Sequence, residues 1–160
     1  MAALTLAPGS AAALRCTITG TSGPDVLVGT RRSDIICGRG GDDVIRARGG
    51  NDRVVGGEGN DRVLGAGGDD RLLGGTGRDR LVGGSGRDIL RGQEGRDTLL
   101  GRGGGDRLVG GGSRDRFFGG PARDLLYARD GRRERVDGDT GRDCARIDRV
   151  DIAVSLHELL

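Results

Sequence analysis

This chain has little with which to fill an ordinary protein interior. Tryptophan is absent, aromatic residues make up 2% of the 160, and hydrophobic residues reach only 34%. Glycine occupies 35 positions. So few large side chains among so much glycine and charge read as disorder, unless a regularity in the sequence organises them. Other absences narrow function. There is no lysine, which excludes a phosphate-binding loop of the Walker type. The one histidine, His157, excludes an HExxH site and a zinc finger, and no CxxC occurs. No GxSxG is present, and a Ser-His-Asp triad would have to draw on the C-terminal tail. No apolar run approaches the ~20 residues of a membrane span. The formal net charge of +2 implies neither a polyanion nor a polycation as partner.

The three cysteines, Cys16, Cys37 and Cys144, are odd in number, so at least one thiol has no internal partner. Cys16 and Cys37 flank the start of the regular region. They form a bridge if the protein is exported, or sit as two separate small residues in a cap. The opening stretch MAALTLAPGSAAALRC is mildly apolar and carries a small-x-small signal at Ala11-Ala12-Ala13. A secretory-signal remnant and an unstructured leader are both compatible with it.

The regularity is a strict nine-residue repeat. Framed at Gly20, twelve units run to Tyr127. The sixth place is Asp in every unit: Asp25, Asp34, Asp43, Asp52, Asp61, Asp70, Asp79, Asp88, Asp97, Asp106, Asp115 and Asp124. The eighth is always large and apolar, from Leu27, Ile36 and Ile45 through Leu72 and Leu81 to Phe117 and Leu126. The first place is Gly except at Ala47, and the fourth is Gly except at Arg32, Ser113 and Ala122. Glycine through places one to five lets the backbone take positive φ and turn sharply. Places seven to nine are short and β-prone, with the middle side chain inward. The spacing therefore predicts a turn of six residues followed by a strand of three.

This pattern resembles the RTX, or haemolysin-type, calcium-binding repeat GGxGxDxUx, in which U is large and aliphatic. The resemblance covers residues 20–127, with weaker echoes to about 148. It implies an all-β fold, a right-handed parallel β-roll (a β-solenoid) with two nonapeptides per coil and about six coils ~4.8 Å apart. It divides the chain into a leader and N-cap (1–19), the calcium-binding roll (20–127) and a degenerate closing coil with C-terminal cap (128–160). It further implies a secreted, extracellular protein that binds several Ca2+ ions.

With two units per coil, Asp43, Asp61, Asp79 and Asp97 line one edge and Asp52, Asp70, Asp88 and Asp106 the other. Stacked carboxylates repel, and one buried aliphatic side chain per nine ordered residues is a weak return on the backbone entropy lost. A divalent cation between successive turns relieves both. Calcium accepts 6 to 8 oxygen ligands in irregular geometry, whereas magnesium demands a tight octahedron and zinc wants His or Cys. The expected ligands are those eight carboxylates with turn carbonyls at Gly41, Gly50, Gly59, Gly68, Gly77 and Gly86. Asp25, Asp34, Asp115 and Asp124 are expected to be weaker, because Pro24, Arg31-Arg32, Ser113 and Pro121-Ala122 interrupt the glycine turns. Folding is expected to be coupled to calcium.

Arginine fills outward places: Arg53, Arg62, Arg71, Arg80, Arg107 and Arg116 at place seven, and Arg78, Arg87, Arg96, Arg114 and Arg123 at place five. Arginine beside the Asp is expected to weaken calcium sites in the second half by Coulomb repulsion. The Arg face reads either as a solvated surface or as a binding face for anionic polysaccharide, lipopolysaccharide or phosphate polymers on a cell surface. With so few aromatic side chains to stack bases, nucleic acid is not expected. After Tyr127 the frame slips by one residue, which places Glu134 and Asp143 where Asp would fall. The tail SLHELL reads as a helical turn capped by Ser155, or as frayed. Twelve like copies point to a structural metal array and not to an enzyme. Two functions stand: a calcium-binding module, and a calcium-dependent adhesion protein.

Overall fold

In the computed structural model, the described residues are 15–128, 130–147, 151–155 and 158–159. The leader with Ala11-Ala12-Ala13 lies outside them. Two short strands come first, β1 (Ile18–Thr19) and β2 (Val26–Val28). Nine six-residue strands follow: β3 (Ile35–Gly40), β4 (Val44–Gly49), β5 (Arg53–Glu58), β6 (Arg62–Gly67), β7 (Arg71–Thr76), β8 (Arg80–Ser85), β9 (Ile89–Glu94), β10 (Thr98–Gly103) and β11 (Arg107–Gly112). The chain continues through β12 (Arg116–Phe118), β13 (Leu125–Ala128), β14 (Arg135–Asp137), β15 (Cys144–Ile147), β16 (Ile152–Val154) and β17 (Glu158–Leu159). Odd strands form one nine-stranded sheet and even strands one eight-stranded sheet. All pairings are parallel, and through the repeats each strand pairs with the one 18 residues on, as in Val54↔Leu72↔Leu90. Each nonapeptide thus crosses from one sheet to the other, and two complete a coil of a parallel β-solenoid.

The core is one side chain thick. Place-eight residues Ile36, Val54, Leu72, Leu90 and Leu108 stack in one sheet, and Ile45, Val63, Leu81, Leu99 and Phe117 in the other, all buried. Ala47, the one departure from glycine at place one, joins this core.

The strand is longer than the three residues that the composition of places seven to nine suggests. It runs on through places one to three of the next unit, and these pair across rungs as well: Arg39↔Gly57 and Gly40↔Glu58. The reason is a left-handed residue at place two, which bends the strand without interrupting the ladder. Glycine is not required there, since Arg39 (φ 81°), Arg48 (φ 82°) and Gln93 (φ 83°) occupy it. The tight turn is confined to places four to six.

Place four is the second left-handed position. Gly59 (φ 121°) lies over Gly41 so closely that a β-carbon would stand 2.6 Å from the Gly41 carbonyl carbon. Place-one glycine answers a different need. A β-carbon at Gly56 would meet the Asp61 carboxylate and stand 2.6 Å from the Gly74 carbonyl oxygen.

At the N-terminal end Cys16 and Cys37 form a disulfide, with 5.9 Å between their α-carbons, so the bridged reading of this pair holds. At the other end the helical reading of the tail does not hold. Glu158–Leu159 is a strand paired with β15, Cys144↔Glu158 and Ala145↔Leu159. The open edge of β15 offers a row of backbone donors and acceptors that an extended segment satisfies and an isolated helical turn leaves unpaired.

Glycine at place three, as at Gly67, is under neither constraint. Gly59→Ala forces both a left-handed alanine and a backbone collision, and is expected to destabilise the calcium-loaded protein by about 1–3 kcal/mol. Gly67→Ala, whose β-carbon would meet nothing nearer than 3.6 Å, is expected to be close to neutral. Denaturant unfolding of the two variants in saturating calcium measures the difference.

Candidate metal centre

The register that stacks the core also stacks the sixth-place carboxylates. Along one edge the Asp43 N–H donates to Asp61 Oδ1 (2.9 Å), Asp61 to Asp79 (2.9 Å) and Asp79 to Asp97 (2.8 Å). Along the other, Asp52 donates to Asp70, Asp70 to Asp88 and Asp88 to Asp106, each at 2.8 Å. The structure therefore brings the eight expected Asp residues together in two columns of four. The expected turn glycines are aligned beside them. Gly41, Gly59 and Gly77 stack on one edge and Gly50, Gly68 and Gly86 on the other, all with positive φ.

One oxygen of each carboxylate is thus used between rungs. The other is not. From Asp43 to Asp124, all ten Oδ2 atoms are buried without a hydrogen-bond partner. The carboxylates themselves are 1–2% exposed, and Asp124 fully enclosed. An ionised oxygen out of water and unpaired is strongly unfavourable; it calls for a proton or a cation. Burial accordingly pushes the carboxyls up, to about 7 at Asp70, Asp79, Asp97, Asp106 and Asp115 and to about 6 at Asp61, Asp88 and Asp124. Asp43 and Asp52 rise for the same reason. Column neighbours reinforce burial, as Asp97 and Asp61 do for Asp79, while the hydrogen bond from the Asp61 N–H opposes it.

The four outer positions separate into two pairs. Asp25 and Asp34 have no orphaned oxygen. Asp25 Oδ2 accepts from the Thr21 N–H (2.6 Å) and hydroxyl (3.0 Å), and Asp34 Oδ2 from the Thr30 N–H (2.7 Å) and hydroxyl (2.8 Å). Asp115 and Asp124, by contrast, match the central positions. The turns that lead to them keep left-handed place-four residues, Ser113 (φ 98°) and Ala122 (φ 104°), despite the loss of glycine. Beyond the frame slip the columns go on. The Asp124 N–H donates to Asp143 Oδ1 (2.9 Å), and Glu134 is buried with Oε2 unpartnered. Burial, then Asp130, pushes Glu134 up to about 9.

The donor set is all oxygen. Among the described residues no three His, Cys, Asp or Glu side chains converge on one point, and the side chains that the columns bring together are Asp carboxylates. That chemistry fits a hard cation such as calcium and not zinc. The family model described as the RTX calcium-binding nonapeptide repeat (4 copies) matches residues 19–54, 38–72, 47–81, 64–99, 73–108, 100–133 and 109–143, an unbroken cover from 19 to 143. The chain belongs to the RTX calcium-binding repeat family. Comparison with the curated proteins gives no match. In this RTX chain the orphaned Oδ2 atoms are the buried oxygens without a counter-charge, and a calcium ion held by these Asp residues would supply one.

Because the wound form holds these carboxyls above their unfolded values, their contribution without metal is fully present below the ordinary carboxylate range. It is lost as pH rises through about 6 to 7, the values of Asp61 and Asp79. Metal-stripped protein is therefore expected to show more β-structure at pH 5 than at pH 8. Saturating calcium is expected to abolish or reverse that trend. Far-UV circular dichroism across this range, with and without calcium, measures it.

Proposed function

We propose that this chain is an extracellular, calcium-dependent structural module, largely unwound at low calcium and wound into the solenoid when calcium enters the carboxylate columns. The observation that carries this reading is the unbroken run of buried, unpartnered Oδ2 atoms from Asp43 to Asp124. At neutral pH a metal-free roll would hold up to ten carboxylates with nothing to compensate them. Calcium at Asp43, Asp52, Asp61, Asp70, Asp79, Asp88, Asp97 and Asp106, with carbonyls of the stacked glycine turns, removes that penalty. Asp115 and Asp124 share the same environment and belong with them in this reading. The Thr-capped Asp25 and Asp34 do not need the ion.

The Cys16–Cys37 disulfide supports an oxidising location, since such bridges persist outside the cell and are rare in the cytosol. Calcium there is abundant, so winding on exposure to the exterior gives the module a direction in which to act: extended inside, rigid outside. No reaction is assigned to it.

Isothermal calorimetry with parallel circular dichroism tests the reading. Calcium is expected to bind at several sites per chain, with β-structure rising over the same range. Asp79→Asn, which keeps shape but removes one charge in mid-column, is expected to raise the calcium midpoint about tenfold or more, or ~1.4 kcal/mol. A dichroism spectrum that does not respond to calcium or chelator contradicts the proposal.

A further inference from the structure

The two edges of the solenoid differ outside the Asp columns. On the edge of Asp43 and Asp61, place five reads Asp42, Asn60, Arg78, Arg96 and Arg114 in successive rungs, and an open groove runs along it to Arg132. On the opposite edge the same place reads Ser33, Asn51, Asp69, Arg87, Gly105 and Arg123. There Arg87 is tied to Asp69 at 3.6 Å, and Gly105 breaks the series. Among the described residues no carboxylate oxygen lies within 4 Å of the guanidinium nitrogens of Arg78, Arg96, Arg114 or Arg132, while Asp130 Oδ1 accepts from the Arg132 backbone N–H (2.7 Å). All four are exposed and line this groove, Arg78, Arg96 and Arg114 on successive rungs and Arg132 in the turn beyond them.

The backbone changes in step with the side chains. At the acidic end, the Asn60 N–H donates to Asp42 Oδ1 (2.7 Å) and the Arg78 N–H to Asn60 Oδ1 (2.9 Å). Arginine has no acceptor, so this side-chain ladder stops at Arg78. From Arg96 onward place five on this edge offers guanidinium groups only, and the carboxylate at that end, Asp130, has its oxygens taken by the Ser113 and Arg132 N–H groups (2.9 and 2.7 Å). The groove thus grades from an acidic end, where hydrogen bonds from Asn60 hold Asp42 below the usual carboxylate range, to a basic one.

From this we infer that the Arg78–Arg96–Arg114–Arg132 groove is a binding site for a linear polyanion of the anionic-polysaccharide class, lying parallel to the solenoid axis. The rungs rise by about 4.8 Å, so an extended chain with one anionic group per monomer meets about one guanidinium per rung. Arginine's planar fork suits sulfate and carboxylate groups. A single small anion would use only one rung, and the length of the ladder favours a polymer. The lack of aromatic side chains along it disfavours single-stranded nucleic acid, which relies on base stacking. Asp42 sets the register, repelling the ligand at one end. The site rests on the calcium-wound roll, because only winding aligns the four arginines. Calcium on Asp79, Asp97 and Asp115 also cancels the negative charge behind them.

Dextran sulfate is the probe, with binding to full-length protein measured in calcium and in EGTA. The groove variant Arg78→Asn/Arg96→Asn/Arg114→Asn/Arg132→Asn uses the residue that occupies place five at Asn51 and Asn60. It is expected to bind at least tenfold more weakly. A control of equal charge loss away from the groove, Arg39→Asn/Arg53→Asn/Arg71→Asn/Arg91→Asn, is expected to change binding less than threefold. Phenylglyoxal footprinting of the unaltered protein gives a readout independent of variant folding, with protection expected at the four groove arginines. Equal weakening in both variants, or protection spread evenly over all arginines, overturns the site. Tighter binding of single-stranded DNA than of dextran sulfate overturns the ligand class. A roll that winds in calcium yet ignores dextran sulfate refutes the groove alone, whereas a spectrum indifferent to calcium refutes the winding itself.

Discussion

Everything in this solenoid is arranged around carboxylate oxygens that have left water without finding a partner. Each sixth-place Asp from Asp43 to Asp124 uses one oxygen to receive the N–H of the Asp a coil earlier, as Asp61 does for Asp43. That bond fixes the carboxyl in the wall and turns the second oxygen to a buried position. A proton can quiet one such oxygen, and the upward shift at Asp79 to about 7 shows how strongly the site favours it. A divalent ion quiets several at once and adds attraction between rungs. The columns are thus a built-in debt of negative charge that calcium is suited to settle.

The rest of the architecture follows from making room for that arrangement. Rungs stack so closely that a β-carbon at Gly59 would collide with Gly41, and one at Gly56 with the Gly74 carbonyl. Glycine is therefore dictated by contact between coils as much as by φ. The core is reduced to single files such as Ile36–Val54–Leu72–Leu90. Such a core sets the sheet register, but buries too little per ordered residue to carry the fold alone. The N-terminal rungs show another solution to the same problem: Thr21 and Thr30 cap Asp25 and Asp34, and a disulfide ties the first strands together. That end is held by ordinary hydrogen bonds and a covalent link, whereas the second carboxylate oxygens of the centre have no such partner.

Much of this was legible because the repeat is short and its places have single duties. Aspartate at place six and a large aliphatic at place eight announce the columns and the core, and the frame slip after Tyr127 foretells where Glu134 and Asp143 stand. Strand length was not legible, because nothing in the identity of Arg39, Arg48 or Gln93 signals the left-handed conformation that the ladder imposes on them. The likeness of Asp115 and Asp124 to the central sites was hidden for a related reason: Ser113 and Ala122 take a glycine-like φ under pressure from the stacked coils. The Thr caps were missed because place two is otherwise variable. The tail was misread because a local capping pattern was weighed without the open edge of β15.

Hydrogen exchange at pH 7.5, read by mass spectrometry over residues 43–143, tests the central claim most directly. With calcium, the amides of the Asp columns and the strands beside them are expected to be protected as one block. After rigorous removal of metal that protection is expected to vanish, while the disulfide-tied, Thr-capped N-terminal rungs keep the most of whatever remains. Equal protection of the central rungs with and without calcium would contradict the account.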